Sequence, residues 1–185
     1  IIRPHMDERM GYNINGPSLI RAPDWLPDRL GRYYLYFGHH RGTYIRLAYA
    51  DRLEGPWPTY APGTLSLEQS PFVRHIASPD VHVDEENHEI VMLYHGLVPG
   101  DGQASRAATS ADGIHFAPQQ EILGAPYMRA FWRDGYHYVL GMPGKLYRST
   151  SLVGDYVEGP TLFGPNIRHS ALLVRGDTLY IFYSN

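Results

Sequence analysis

The sequence predicts an all-β protein made of repeated four-stranded antiparallel units, on three observations. Glycine and proline number 19 and 15 among 185 residues, and both break helix interiors, so a fold of long helices is excluded. Short apolar-aromatic runs recur at 33–37 (YYLYF), 90–94 (IVMLY), 136–140 (YHYVL) and 179–183 (LYIFY). Each is too short for a helix and rich in strand-favouring side chains. A polar turn precedes every run, at 30–32, 84–87, 133–135 and 175–177, with the Gly, Asp and Asn content that hairpins use.

Taken in order, each unit opens with a strand ahead of its turn, at 17–20, 79–83, 127–131 and 170–174. The aromatic run is the second strand. A third follows at 44–49, 106–110 and 146–150, and a more variable fourth at 55–57, 114–116 and 156–157. Four antiparallel strands repeated at this period are the pattern of propeller blades. The blades are expected at 14–60, 76–118, 124–160 and, incompletely, 167–185. The chain therefore reads as a single propeller domain covering three blades and the first hairpin of a fourth, the N-terminal portion of a five-bladed ring. If 185 residues were the whole chain, exposed strand edges would call for a partner, with self-association the obvious form.

Composition narrows function. With 43% hydrophobic and 19% charged residues the chain has material for a core and too little charge for disorder. A formal net charge of −3 gives no broad attraction to nucleic acid or anionic membrane. Lys145 is the single lysine beside 15 arginines, a bias that reflects codon usage more often than anion recognition. The absence of cysteine excludes disulfides, thiolate metal sites and a thiol nucleophile. No apolar run reaches the roughly 20 residues of a membrane span, and the start IIRPH lacks the regions of a signal peptide, so the compartment is left open.

In a propeller the first strands line a central channel, so the starts of first strands, the ends of second strands and the starts of third strands meet at one mouth. The first set holds Asn15, Gly16, Ser18, Asp80, Tyr127, Arg168 and His169; the second holds His39, His40, Arg41, His95 and, at its end, Ser184 and Asn185. Alignment of the third strands at Ala50 and Ser110 puts Arg46 and Arg106 at one position, near Lys145 of the next unit. Each has a plainer reading. Asp80 could stabilise a turn, though it precedes a strand and does not occupy a usual turn slot. His39 and His40 could be a solvated pair, and His95 and His169 core histidines bonded to carbonyls. Arg46 and Arg106 match surface arginines, and Trp25, Trp57 and Trp132 match packing residues better than sugar platforms. His5, His75, His88, His115 and His137 show no organised spacing.

The segment 77–82 (ASPDVH), with the following turn and Leu93-Tyr94, resembles the second blade of the five-bladed β-propeller glycoside hydrolases, the superfamily of family 43 arabinanases and xylosidases. Residues 168–183 resemble the fourth-blade segment that carries a histidine at the channel centre, and 48–57 the end of the first blade. The resemblance implies that Asp80 tunes the acid and positions substrate, and that His169 lies at the channel centre near water or calcium. Two positions depart from it: Gly16-Pro17 stands where the family carries Asp-Pro with the general base, and 125–129 (APYMR) lacks the general-acid Glu. Inverting hydrolysis needs two carboxyl groups about 6.5–9.5 Å apart, so one aspartate cannot fill both roles. A histidine among His39, His40, His95 and His169 is then the expected proton donor, as imidazole titrates near neutral pH.

The expected protein is a glycoside hydrolase-like chain acting on a terminal sugar or short glycan. Asp80, His39, His95 and His169 form the catalytic candidates. Asn15, Ser18, His40, Arg41, Arg46, Arg106 and Arg129 form the substrate-binding ones, and arginines facing the pocket would suit an anionic sugar. A non-catalytic glycan-binding propeller is the alternative. No cofactor is required, and calcium at His169 would be held only through water, because calcium takes oxygen ligands.

Overall fold

The structure is a computed structural model, and it describes residues 1–6, 10–100 and 102–184. Fourteen strands form, among the described residues, three four-stranded antiparallel sheets and one hairpin. The first sheet contains β1 (Asn15–Arg21), β2 (Tyr33–Gly38), β3 (Tyr44–Ala50) and β4 (Thr59–Ser66). The second contains β5 (Val73–Asp84), β6 (Glu89–Val98), β7 (Gly102–Ser110) and β8 (Ala117–Pro118). The third contains β9 (Arg129–Arg133), β10 (Tyr136–Gly141), β11 (Lys145–Ser149) and β12 (Val157–Thr161), and β13 (His169–Arg175) pairs with β14 (Thr178–Ser184). Strands follow one another in sequence order across each sheet. No helix among the described residues is long and apolar enough to cross a membrane.

The fourth strands differ from expectation. The segment 55–57 is irregular and outside β4: Gly55 closes a turn on Arg52 at φ +91° and is followed by a proline that has no amide to give a ladder; pairing with β3 starts at Thr59 opposite Ala48. The segment 114–116 is likewise outside β8, since the Asp112 carboxylate accepts the amides of Ile114 and His115, each at 2.8 Å. Such a side-chain turn competes with ladder pairing.

Two-residue alternation decides which face each side chain serves. On β6, Ile90, Met92 and Tyr94 join the core between the first and second sheets, whereas Val91 and Leu93 join the core between the second and third. Tyr36 ties the first of these cores together: it is fully buried and its hydroxyl donates to the Gly113 carbonyl at 2.7 Å. Tyr36→Phe strands that buried carbonyl and is expected to cost about 1–3 kcal/mol in urea unfolding; an unchanged midpoint would mean that water takes the hydroxyl's place.

Matching bulges sit at the start of β1 and in the middle of β5. Asn15 faces Gly38 and Ser18 faces Tyr36, so β1 uses three steps where β2 uses two. Ala77 faces His95 and Asp80 faces Leu93 in the same way. Gly16 and Ser78, at φ +54° and +49°, carry the extra residues. The bulges touch, since a Cβ on Gly16 would lie 2.5 Å from the Ser78 Cα. Bulges re-aim the side chains that follow them, here Ser18 and Asp80.

Candidate functional site

The first strands β1, β5, β9 and β13 converge on an open cleft of about 640 Å³, lined among others by Asn15, Ser18, Asp80, Arg129, His169 and Tyr183. A smaller polar recess of about 110 Å³ shares Asn15 with it and is lined by His40, Arg41, His75, His95, Tyr127 and Arg168 together with Ala77 and Gln103.

Cross-strand pairing explains why Asp80 points as it does. Asp80 opposes Leu93, so both leave the same face of the second sheet, toward the third. There its Oδ2 accepts the Ala130 amide at 2.7 Å and lies 2.7 Å from His82 Nε2, and Oδ1 accepts from Arg129 at 3.3 Å. Burial pushes the Asp80 pKa up. The charge and hydrogen bond of His82, the Arg129 guanidinium and the Ala130 amide outweigh it and bring the carboxyl to about 2. Burial in turn opposes charge on His82, but the Asp80 carboxylate prevails and raises its pKa. Asp80 is thus a fixed anion with its lone pairs engaged, suited to orienting Arg129 and poorly suited to carrying a proton. Arg129 also donates to the Pro79 carbonyl at 2.6 Å and the Ser170 carbonyl at 3.3 Å, joining the second sheet, the third sheet and the last hairpin.

The recess is built around a row of rings. His95 and Tyr127 have centroids 4.0 Å apart, Tyr127 and His169 stand edge-on at 4.6 Å, and His75 approaches His95 at 5.9 Å. Tyr127 holds this place at φ +62°, a conformation unusual for a bulky side chain. His95 is 2% exposed and its Nδ1 has no hydrogen-bond partner among the described residues. Burial first, and then the nearby His75, Arg129, His169 and Arg168 side chains, hold its pKa down at about 3. Burial also lowers His169, helped by Arg168 and Arg129, and lowers His75, helped by His40 and Arg41. These three imidazoles are neutral at pH 7.

Asn15 and Ser18 stand on the cleft wall with their oxygens already used: Asn15 Oδ1 accepts from Ser78 Oγ at 2.6 Å and Ser18 Oγ accepts the Val81 amide at 2.9 Å. His40 and Arg41 reach the recess from the turn after β2. Three expected site residues line neither cavity. His39 turns back against Gly11 and Tyr12, its ring 5.1 Å from the tyrosine ring. Arg46 and Arg106 do occupy equivalent places on β3 and β7, but alternation buries both in cores. Arg46 donates to the Met10 carbonyl and lies over the Phe37 and Tyr44 rings, and Arg106 lies 5.1 Å over Phe72. Asn185 falls outside the described residues. His75, which has no organised spacing in the sequence, is brought in by the bulge between Val73 and Ile76, where Arg74 takes a positive φ that no residue type there signals.

Among the described residues no three His, Asp or Glu side chains are grouped to hold a metal ion. His169 is flanked by Arg168 and Arg129, cations that do not fit a calcium ion.

No family model matches the sequence. The uncharacterized protein R118 of Acanthamoeba polyphaga mimivirus is 37% identical over 205 aligned residues, covering 92% of this chain and 58% of that protein. The chain thus spans somewhat over half the length of this curated relative. An exo-β-1,3-galactanase from Clostridium thermocellum superposes with a TM-score of 0.68 at 17% identity, over 100% of this chain and 43% of the enzyme. An α-L-arabinofuranosidase from the same organism gives 0.62 at 18%, over 92% and 60%. A family 43 arabinoxylan arabinofuranohydrolase from Bacillus subtilis gives 0.65 at 18%, over 90% and 42%. The chain has the β-propeller fold of family 43 glycoside hydrolases.

Proposed function

We propose that the chain is the substrate-holding portion of a five-bladed glycoside hydrolase-like protein acting on a terminal sugar or short glycan at the channel mouth. The observation that carries this reading is the row His95–Tyr127–His169, set beside a cleft in the range of ordinary ligand sites. Aromatic faces and neutral imidazoles suit sugar, because they offer stacking together with donors and acceptors for hydroxyl groups. In this reading His169, half-buried at the cleft, is the neutral imidazole that takes up a proton as general base, and His95 orients the sugar. Asp80 acts through Arg129 as a fixed anion.

A non-catalytic glycan-binding role is the second reading, and one observation favours it. Asp80 is the single carboxylate among the described residues lining the two cavities, whereas hydrolysis through paired carboxyl groups needs another. The purified chain, assayed on aryl arabinofuranosides, xylosides and galactosides and on their oligosaccharides, is expected to turn over one of them, with His169→Ala lowering the rate by about 10²-fold or more while binding persists. Glycan binding without turnover would sink the enzymatic reading and leave the binding module; neither binding nor turnover would sink both.

A further inference from the structure

We propose that the recess between Arg41 and Arg168 receives an anionic substituent of a sugar, a carboxylate or a sulfate, so that the protein selects acidic glycans. This rests on the glycan reading above and adds the chemical class of the ligand.

Charge is the first ground. Arg41 and Arg168 line the recess with His40, His75 and His95, and no Asp or Glu among the described residues does so. The nearby Asp80 is on the cleft side, occupied by His82, Arg129 and the Ala130 amide. Burial is the main cause of the lowered pKa values of His75, His95 and His169, and Arg41 adds to it at the first, Arg129 and Arg168 at the other two. A concave wall of one sign concentrates ions of the other.

The second ground is independent of charge. His95 is one of the residues lining the recess, and its Nδ1 is buried with no partner among the described residues. A neutral imidazole places a proton on one of its two nitrogens, so Nδ1–H can donate to an oxyanion. Buried polar atoms are nearly always bonded, and a ligand oxygen would complete this one.

Size is the third. The recess, at about 110 Å³, falls below the roughly 300 Å³ of ordinary ligand pockets. It has room for a carboxylate or sulfate group and too little for a sugar ring, which fits the adjoining cleft. The shared Asn15 marks the junction. Two arginine side chains lining one recess match the planar or tetrahedral oxygens of these anions.

Titration calorimetry with galacturonate, galactose 6-sulfate, galactose and sodium sulfate tests this. At least one charged sugar is expected to bind about tenfold or more tightly than galactose. The Arg41→Ala/Arg168→Ala double variant is expected to remove that preference. Arg168 also reaches the Tyr127 hydroxyl at 3.4 Å, so urea unfolding checks that the double variant is folded, and Arg41→Ala alone is expected to weaken the preference in the same direction. Equal binding of charged and neutral sugars overturns the inference and leaves the glycan reading standing. Binding of sulfate alone, lost in the double variant, supports the anion recess and overturns the glycan reading. No binding of any of the four overturns the inference.

Discussion

Asp80→Ala is expected to lower the stability of the chain by about 3–5 kcal/mol, because it removes one partner of a buried ion pair and leaves the others uncompensated. Arg129, His82 and the Ala130 amide all direct donors at this carboxylate, and Arg129 is also the tie between the third sheet and β13. Asp80→Asn keeps the size and one acceptor and should cost less, though its amide NH₂ faces donors. Urea unfolding of both variants measures the difference. A loss below about 1 kcal/mol for the alanine variant would mean that the carboxylate does not hold the sheets together.

The same group makes the wild type acid-sensitive in a defined window. Asp80 has its folded pKa depressed from 3.8 to about 2, so its contribution, on the order of 2 kcal/mol, is present above pH 4 and is lost as pH falls toward 2. His82 is shifted the other way; its share is present below pH 6.5 and fades as pH rises through its folded pKa. The pair is therefore strongest between about pH 4 and 6.5. The drop in urea midpoint from pH 4.5 to 2.5 should be smaller in Asp80→Asn than in the wild type.

Gly16→Asp, which would restore a carboxylate where the family resemblance puts the general base, is expected to destabilise the chain by about 3 kcal/mol or more and to confer no hydrolysis. Two costs combine. The residue sits at φ +54°, where an L side chain is strained, and its Cβ would come 2.5 Å from the Ser78 Cα, a backbone atom that cannot swing aside. Ser78 is itself fixed in a bulge and its hydroxyl donates to Asn15. A variant with wild-type stability and new glycosidase activity would show that the touching bulges yield easily and that only the carboxylate is lacking.

Alternation and turn chemistry made most of the ladder legible. The runs at 33–37, 90–94, 136–140 and 179–183 lie within β2, β6, β10 and β14, because their pattern depends on neighbours one and two residues away. The fourth strands were less legible, since Gly55-Pro56 and the Asp112 side-chain turn take the backbone out of the ladder where an apolar pattern continues. At the site, Asn15, Ser18, Asp80, Arg129 and His169 reach the cleft and His40, Arg41 and His95 the recess. Position along a strand does not say which face is buried, which is why Arg46 and Arg106 share a register and still serve cores.

By itself the sequence determined an all-β chain of repeated hairpins with polar groups collected at the strand starts, because periodicity and turn residues act locally. Only the tertiary structure decided which of those groups meet. Arg41, His75, His95, Tyr127 and Arg168 come together through the packing of three sheets and the last hairpin and through the bulges of β1 and β5, and contacts across that many residues are set by how the sheet faces interlock. The same packing makes Asp80 a fixed anion, since three donors from two sheets converge on it.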